Sequence, residues 1–251
     1  MPSNRWIKNA LPGALGILLF LLIWELLGRT GVLGLTWPPL TSVIATLIDP
    51  SKTALFLRAT SASLTSAGTG YLAGGALGLV AALAGHLIPT LQEGLSRFAA
   101  VVNSVPPIAL ASVFLVLVTT ESTPTAVAAI KVFFIIFIAV QSGLRSATPA
   151  QHDLFTSLGT GRFKRLWLLE VPTMLPVAMS GLKIAVPVAL IGAFVGEWFG
   201  ASRGLGVLIL NAMQNFQISM LWSAVLLATL VSLAVYFILT MVESIVRLRL
   251  T

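Results

Sequence analysis

The chain contains no cysteine, which excludes a disulfide framework and any thiolate-based metal or redox site. Histidine is nearly as scarce, with only His86 and His152 among 251 residues, too few to support a zinc centre. Charge is sparse too. Asp, Glu, Lys and Arg together make up 9% of the residues, against roughly a quarter in an ordinary soluble domain. With 57% hydrophobic residues, the chain has too little polarity to cover a water-soluble fold. Catalytic signatures are also missing: there is no Gly-x-x-x-x-Gly-Lys-Ser/Thr phosphate loop, no His-Glu-x-x-His and no pair of carboxylates at one-site spacing. The chain therefore reads as a non-enzyme, and if ATP is used, a different chain must bind it.

The net charge of +7 does not point to nucleic acid, because the fifteen Lys and Arg are scattered between apolar runs and form no basic patch with interleaved aromatics. A helix needs about 20 mostly apolar residues to cross the hydrocarbon core. The intervals between charges predict an all-α integral membrane protein, one transmembrane domain over 1–251, with spans near 11–28, 62–86, 98–119, 124–144, 174–200 and 221–241. The first run follows Arg5 and Lys8 as a signal peptide would. It is long for a signal h-region, contains Glu25 and lacks a small-x-small cleavage site, which predicts a retained span.

Two connections, 29–58 and 145–173, are long enough to hold structure of their own. The second carries Arg145, Arg162, Lys164 and Arg165, and the positive-inside rule places it in the cytoplasm. With six spans both termini then lie inside. Nine basic residues fall on that side (Arg5, Lys8, Arg97, Arg145, Arg162, Lys164, Arg165, Arg247 and Arg249) and four outside (Arg29, Lys52, Arg58 and Arg203).

The second span carries Gly70, Gly74 and Gly78 four residues apart, among Gly68, Gly75 and Gly85. That spacing lines one helical face with small residues and permits close helix approach in lipid. Two uses stand open, packing within one subunit and contact between two.

The segment from Ala150 to Pro176, AQHDLFTSLGTGRFKRLWLLEVPTMLP, predicts helix, glycine, helix at the membrane surface. The first piece runs from Asp153 to Leu158, with Thr148 or Asp153 as cap and Gly159 ending it in a left-handed turn. The second runs from Arg162 to Glu170 and is stopped by Pro172.

This segment resembles the EAA loop of ABC importer permeases: Asp153 stands at the Glu position and Gly159 at the Gly, with Val171-Pro172 and Leu175-Pro176 as the closing prolines. Leu154 and Phe155 replace the two small alanines of that pattern. The likeness extends over nearly the whole chain, through Trp37-Pro38-Pro39, Ser104-Val105-Pro106-Pro107-Ile108-Ala109, Gly143-Leu144-Arg145, Gly181-Leu182-Lys183, Gly196-Glu197-Trp198-Phe199-Gly200-Ala201 and Gly204-Leu205-Gly206. It is similar to the branch serving nitrate, sulfonate, taurine, bicarbonate and thiamine-precursor uptake.

The resemblance implies a type I importer permease fold in the bacterial inner membrane. Two permease copies, as a homodimer, would enclose a pathway within the lipid, and an external or periplasmic solute-binding protein would deliver the solute. A coupling helix containing Asp153, Leu154, Phe155, Leu158, Gly159 and Arg162 would dock on ABC ATPase subunits. ATP and Mg would be held by those ATPases, and this chain would bind no cofactor.

Ionisable groups at membrane depth face a pathway or a partner. Glu25, Lys131, Lys183 and Glu197 are the four. For Lys183 and Glu197, where the family often has a basic and an acidic residue, a structural pair or packing role is expected. Lys131 is outside the family pattern and carries two readings. Either it lines the pathway with Pro106 and Pro107 and favours an anionic solute, or it is neutralised by a carboxylate or carbonyl inside the bundle. Two rival functions are less well supported: a secondary transporter calls for internal symmetry and paired broken helices, and a membrane-embedded enzyme calls for convergent ionisable groups.

Overall fold

The computed structural model describes the backbone of residues 3–250 and the side chains of 12–244. Every regular element is helical. In chain order α1 is Ser3–Thr30, α2 Leu40–Leu47, α3 Pro50–Leu87, α4 Pro89–Ser104, α5 Pro107–Leu117 and α6 Thr123–Leu144. Then come α7 Pro149–Ser157, α8 Arg162–Arg165, a π-helical turn Leu166–Glu170, α9 Val171–Glu197, α10 Leu205–Gln214 and α11 Ile218–Leu250. Among the described residues, five helices are long and apolar enough to cross a membrane, and six spans result if the bent pair α4–α5 counts as one.

Helix α6 lies at the centre, between α3 and α9, and glycine sets how closely they approach. A Cβ at Gly70 would stand 2.7 Å from the Thr125 carbonyl oxygen, one at Gly78 2.6 Å from that of Phe133, and one at Gly74 would overlap the Ala129 carbonyl. Any side chain there would have to push the helices apart. Gly68 and Gly75, on another face, meet nothing. The glycine face is therefore used inside the subunit. From the other side Gly192 of α9 meets the Ala128 backbone and Gly196 meets that of Pro124. Tyr71 of α3 donates to the Leu182 carbonyl of α9 at 3.0 Å. Val132, Ile136, Phe137, Val140, Leu144, Ala185, Ala189 and Ala193 fill the resulting core.

The structure alters three expectations. The span expected at 98–119 is broken, since α4 and α5 meet at a bend of 97°. Pro106 has no N–H to donate and the residue before a proline is pushed out of the helical region, so Val105 is extended at φ −71°, ψ 124°. The first helix of the long connection begins at Pro149 rather than Asp153, because Thr148 forms a complete capping box with Gln151. Pro172 also fails to stop the following helix. It sits in the first turn of α9 directly after the π turn, where a missing N–H costs little, and residues 162–197 run on as one span-length unit.

At the far end of α3, Asp49 accepts from both the hydroxyl and the N–H of Ser51. The Ser51 hydroxyl, then its N–H and Lys52, hold the Asp49 carboxyl below the usual carboxylate range. An aromatic cluster ties α1 and α11 to the 31–39 connection: Trp24, Trp37 and Trp222 lie with ring centroids 4.9 to 5.4 Å apart. Trp24 donates to the Pro38 carbonyl and Trp222 to that of Thr36.

Candidate functional site

The 145–173 connection forms a short arm at the end of the bundle where α3 finishes. Gly159 takes φ 65°, the left-handed conformation that a glycine adopts without a Cβ penalty. Its N–H and that of Thr160 donate to the Thr156 and Phe155 carbonyls, and the Thr160 hydroxyl also bonds to the Phe155 carbonyl. The arm is therefore locally well made, with a capping box at one end of α7 and a glycine turn at the other.

What α7 lacks is a core. None of the residues of α7 is buried. Leu154 and Leu158, four apart and hence on one face, are 56% and 69% exposed. Phe155 is half-buried, while Asp153, Gly159 and Arg162 are exposed, and Asp153 has no ion-pair partner among the described residues. Phe163 and Trp167, packed edge to face, together with Leu168 continue the apolar surface.

At its base the arm is held tightly by contacts that the sequence did not reveal. Glu170, 3% exposed, accepts from or shares a proton with His86 Nε2 at 2.7 Å through one carboxylate oxygen, and its other oxygen stands 3.3 Å from Arg165 Nε. Arg162 donates to the His86 carbonyl at 2.7 Å. Ser146 donates to the Thr173 carbonyl at 3.1 Å. The available signal was a carboxylate inside the apolar run from Leu166 to Val171, with a histidine in an otherwise charge-free stretch.

The four intramembrane ionisable groups are all satisfied within the chain. Glu25 accepts from Arg29, and from the N–H and hydroxyl of Thr41 at the start of α2. Lys183 of α9 is paired with Glu243 of α11. Glu197, 2% exposed, accepts from the Ser63 hydroxyl and the Gly206 N–H, each at 2.6 Å, and thereby seats the first turn of α10. Lys131, 9% exposed, donates to the carbonyls of Asn103 at 3.1 Å and Val105 at 2.8 Å. Of the two readings open for Lys131, the geometry matches neutralisation by carbonyls inside the bundle: its ammonium caps the last turn of α4. Pro106 is exposed and Pro107 half-buried at the same bend.

The opposite end of the bundle carries a recess with both polar and apolar side chains on its wall. About 670 Å³ of space is lined by Ser51, Arg58, Ser202, Arg203 and Asn211 among others. It adjoins a second recess of about 300 Å³ with Ser61, Thr65, Ser66 and Glu121, the two sharing Arg203. The Glu121 carboxylate accepts from the Ser202 N–H at 3.1 Å. Neither Arg58 nor Arg203 has an ion-pair partner among the described residues.

Residues 74–251 match the family described as binding-protein-dependent transport system inner membrane component. Among curated proteins, the formylaminopyrimidine transport permease of Halalkalibacterium halodurans is 30% identical over 209 residues, covering 83% of each chain. The nitrate import permease of Synechococcus elongatus is 26% identical, covering 83% of this chain and 80% of its own. A putative aliphatic sulfonates transport permease of Bacillus subtilis is 24% identical, covering 90% and 81%. Among solved structures, the crystal structure of an amino acid ABC transporter with histidines superposes with a TM-score of 0.65 at 15% identity, covering 79% of this chain and 95% of that one, a likeness of fold.

Proposed function

The chain belongs to the family of binding-protein-dependent transport system inner membrane components, and from that premise we propose that α7 is its coupling helix, the part that docks on the ATPase. A member of this family is the permease of an ABC importer: a multi-pass inner membrane protein, not itself catalytic, that works with an ATPase and a solute-binding protein. The observation that carries the proposal is a helix capped at both ends that buries none of its residues. An isolated helix of nine residues is marginal in water, and the exposed Leu154 on it and Leu158 at its C-cap need a cover. A groove on an ATPase supplies one for Leu154 and Leu158, with Phe155 and Gly159 shaping the turn, Asp153 available for polar contacts at the rim and Arg162 anchoring the arm to the His86 carbonyl.

In this reading ATP and Mg²⁺ are bound by the ATPase pair, whose closure draws two such arms together and switches the pathway between its inward and outward states. Two copies of this chain enclose the pathway, the arm and both termini lie in the cytoplasm, and the external binding protein meets the opposite end. The solute is small. The recess with Arg58 and Arg203 supports an anionic one, as do the names of two relatives, which concern nitrate and aliphatic sulfonates. With its ammonium spent on carbonyls, Lys131 serves the pathway by holding the bend at Pro106 and Pro107 in place.

The test is a tagged purification from membranes, with identification of co-purifying chains and an ATPase assay. An ABC ATPase should be recovered, and Gly159→Val, forced to φ 65°, should leave hydrolysis running without uptake. Recovery of the chain alone from several mild detergents, with uptake unaffected by ATP depletion, would refute the reading.

A further inference from the structure

We propose that Glu170 is the positioning residue that makes the coupling arm and the inner end of α3 one mechanical unit, so that motion of α7 reaches the far end of the bundle through α3. The inference rests on the coupling reading above. It starts from a mechanical requirement: α7 buries none of its own residues and can transmit displacement only through the base of the arm. Besides the covalent continuation into α9 and the burial of Leu166 and Leu169 at the base, the polar attachments are few, and they converge. Glu170 bonds His86 at 2.7 Å, Arg165 approaches the same carboxylate at 3.3 Å, and Arg162 donates to the His86 carbonyl at 2.7 Å.

His86 is the penultimate residue of α3, so both contacts grip the tip of a helix of 38 residues, about 57 Å long at 1.5 Å per residue. That helix is keyed into α6 by Gly70, Gly74 and Gly78, where no gap remains for independent sliding. Its other end lines both recesses through Ser51, Arg58, Ser61 and Thr65. A single rigid element thus runs from the arm to the recess. The clamp itself is built from a carboxylate on a π-helical turn, a geometry in which one residue is inserted into the helical register and which recurs at functional positions.

The absence of cysteine permits a test that needs no knowledge of the solute. Ala201→Cys places a reporter in the recess shared with Arg203; Ser66→Cys is a second such position. The purified complex with its ATPase is reacted with 2-sulfonatoethyl methanethiosulfonate, with and without ATP plus vanadate. With Glu170 intact, the nucleotide should change the labelling rate about tenfold, within the usual range of allosteric coupling. Glu170→Ala, and independently His86→Leu should the first not assemble, should keep ATP hydrolysis within about twofold while the nucleotide-dependent change falls below about twofold. Glu170→Gln, which still offers His86 a hydrogen-bonding oxygen, should restore much of the response. Assembled Glu170→Ala and His86→Leu complexes that respond as the parent does would overturn the proposal and leave Glu170 a stabilising residue only. A parent complex that hydrolyses ATP with no response at either reporter would sink the coupling reading and this inference with it.

Discussion

Replacing Lys131 by methionine separates its two readings by sign and by assay. The Lys131 ammonium satisfies the carbonyls of Asn103 and Val105 at the 97° bend between α4 and α5. Methionine keeps the buried stem but donates nothing, and each orphaned carbonyl costs about 1–3 kcal/mol, so about 2–6 kcal/mol is lost. Removing an ammonium from membrane depth returns about 2.5–3.5 kcal/mol on insertion scales. Taking the middle of each range, the net loss expected is about 1 kcal/mol. It should be read as a lower midpoint in denaturant unfolding of the purified chain in mixed micelles, followed by far-ultraviolet circular dichroism. Lys131→Arg, which keeps charge and donors, should lose less than half as much. A Lys131→Met variant as stable as the parent, with altered preference among nitrate and small sulfonates as test solutes, would refute the capping role and return Lys131 to the pathway.

Gly74→Ala should destabilise by about 1–3 kcal/mol through overpacking against the Ala129 carbonyl, whereas Gly75→Ala, one residue on and facing open space, should be neutral or stabilising by up to about 1 kcal/mol; paired unfolding curves check the contrast, and equal effects would argue against the close α3–α6 contact. Glu197→Ala leaves the Ser63 hydroxyl and the Gly206 N–H without their acceptor and should cost about 2–4 kcal/mol, with Glu197→Gln between it and the parent because one acceptor oxygen remains. Arg58→Gln and Arg203→Gln should each raise the KM for uptake of an anionic test solute about fivefold or more with kcat nearly unchanged, as loss of a steering charge predicts. An unchanged KM in both variants would remove the recess from the solute's route.

The helical class, the number of spans to within the broken one and the existence of the arm were legible in the sequence because each depends on local quantities. Apolar runs of span length are set by the thickness of the hydrocarbon layer, and the glycine turn at Gly159 needs only neighbours within five residues. The bend at Pro106 was present in the same letters, but its pair of prolines was counted within one span. The family resemblance drew on motifs spread along the chain, and the match over residues 74–251 agrees with it.

What the letters could not supply was the partner of each charge. Glu243 lies 60 positions from Lys183, Glu197 lies 134 from Ser63, and Glu170 lies 84 from His86. These pairings arise only when α3 and α11 close upon α9 and the π turn that precedes it. The glycine face is the same kind of case: its spacing declared that some backbone would come close, and the fold decided that the backbone was α6 of the same chain. Local propensity and hydropathy are properties of a stretch, so sequence alone determined the spans and the arm. Satisfaction of a buried charge is a property of the assembled bundle, so only the tertiary structure could say that Lys131 holds a helix end and that Glu170 ties the arm to α3.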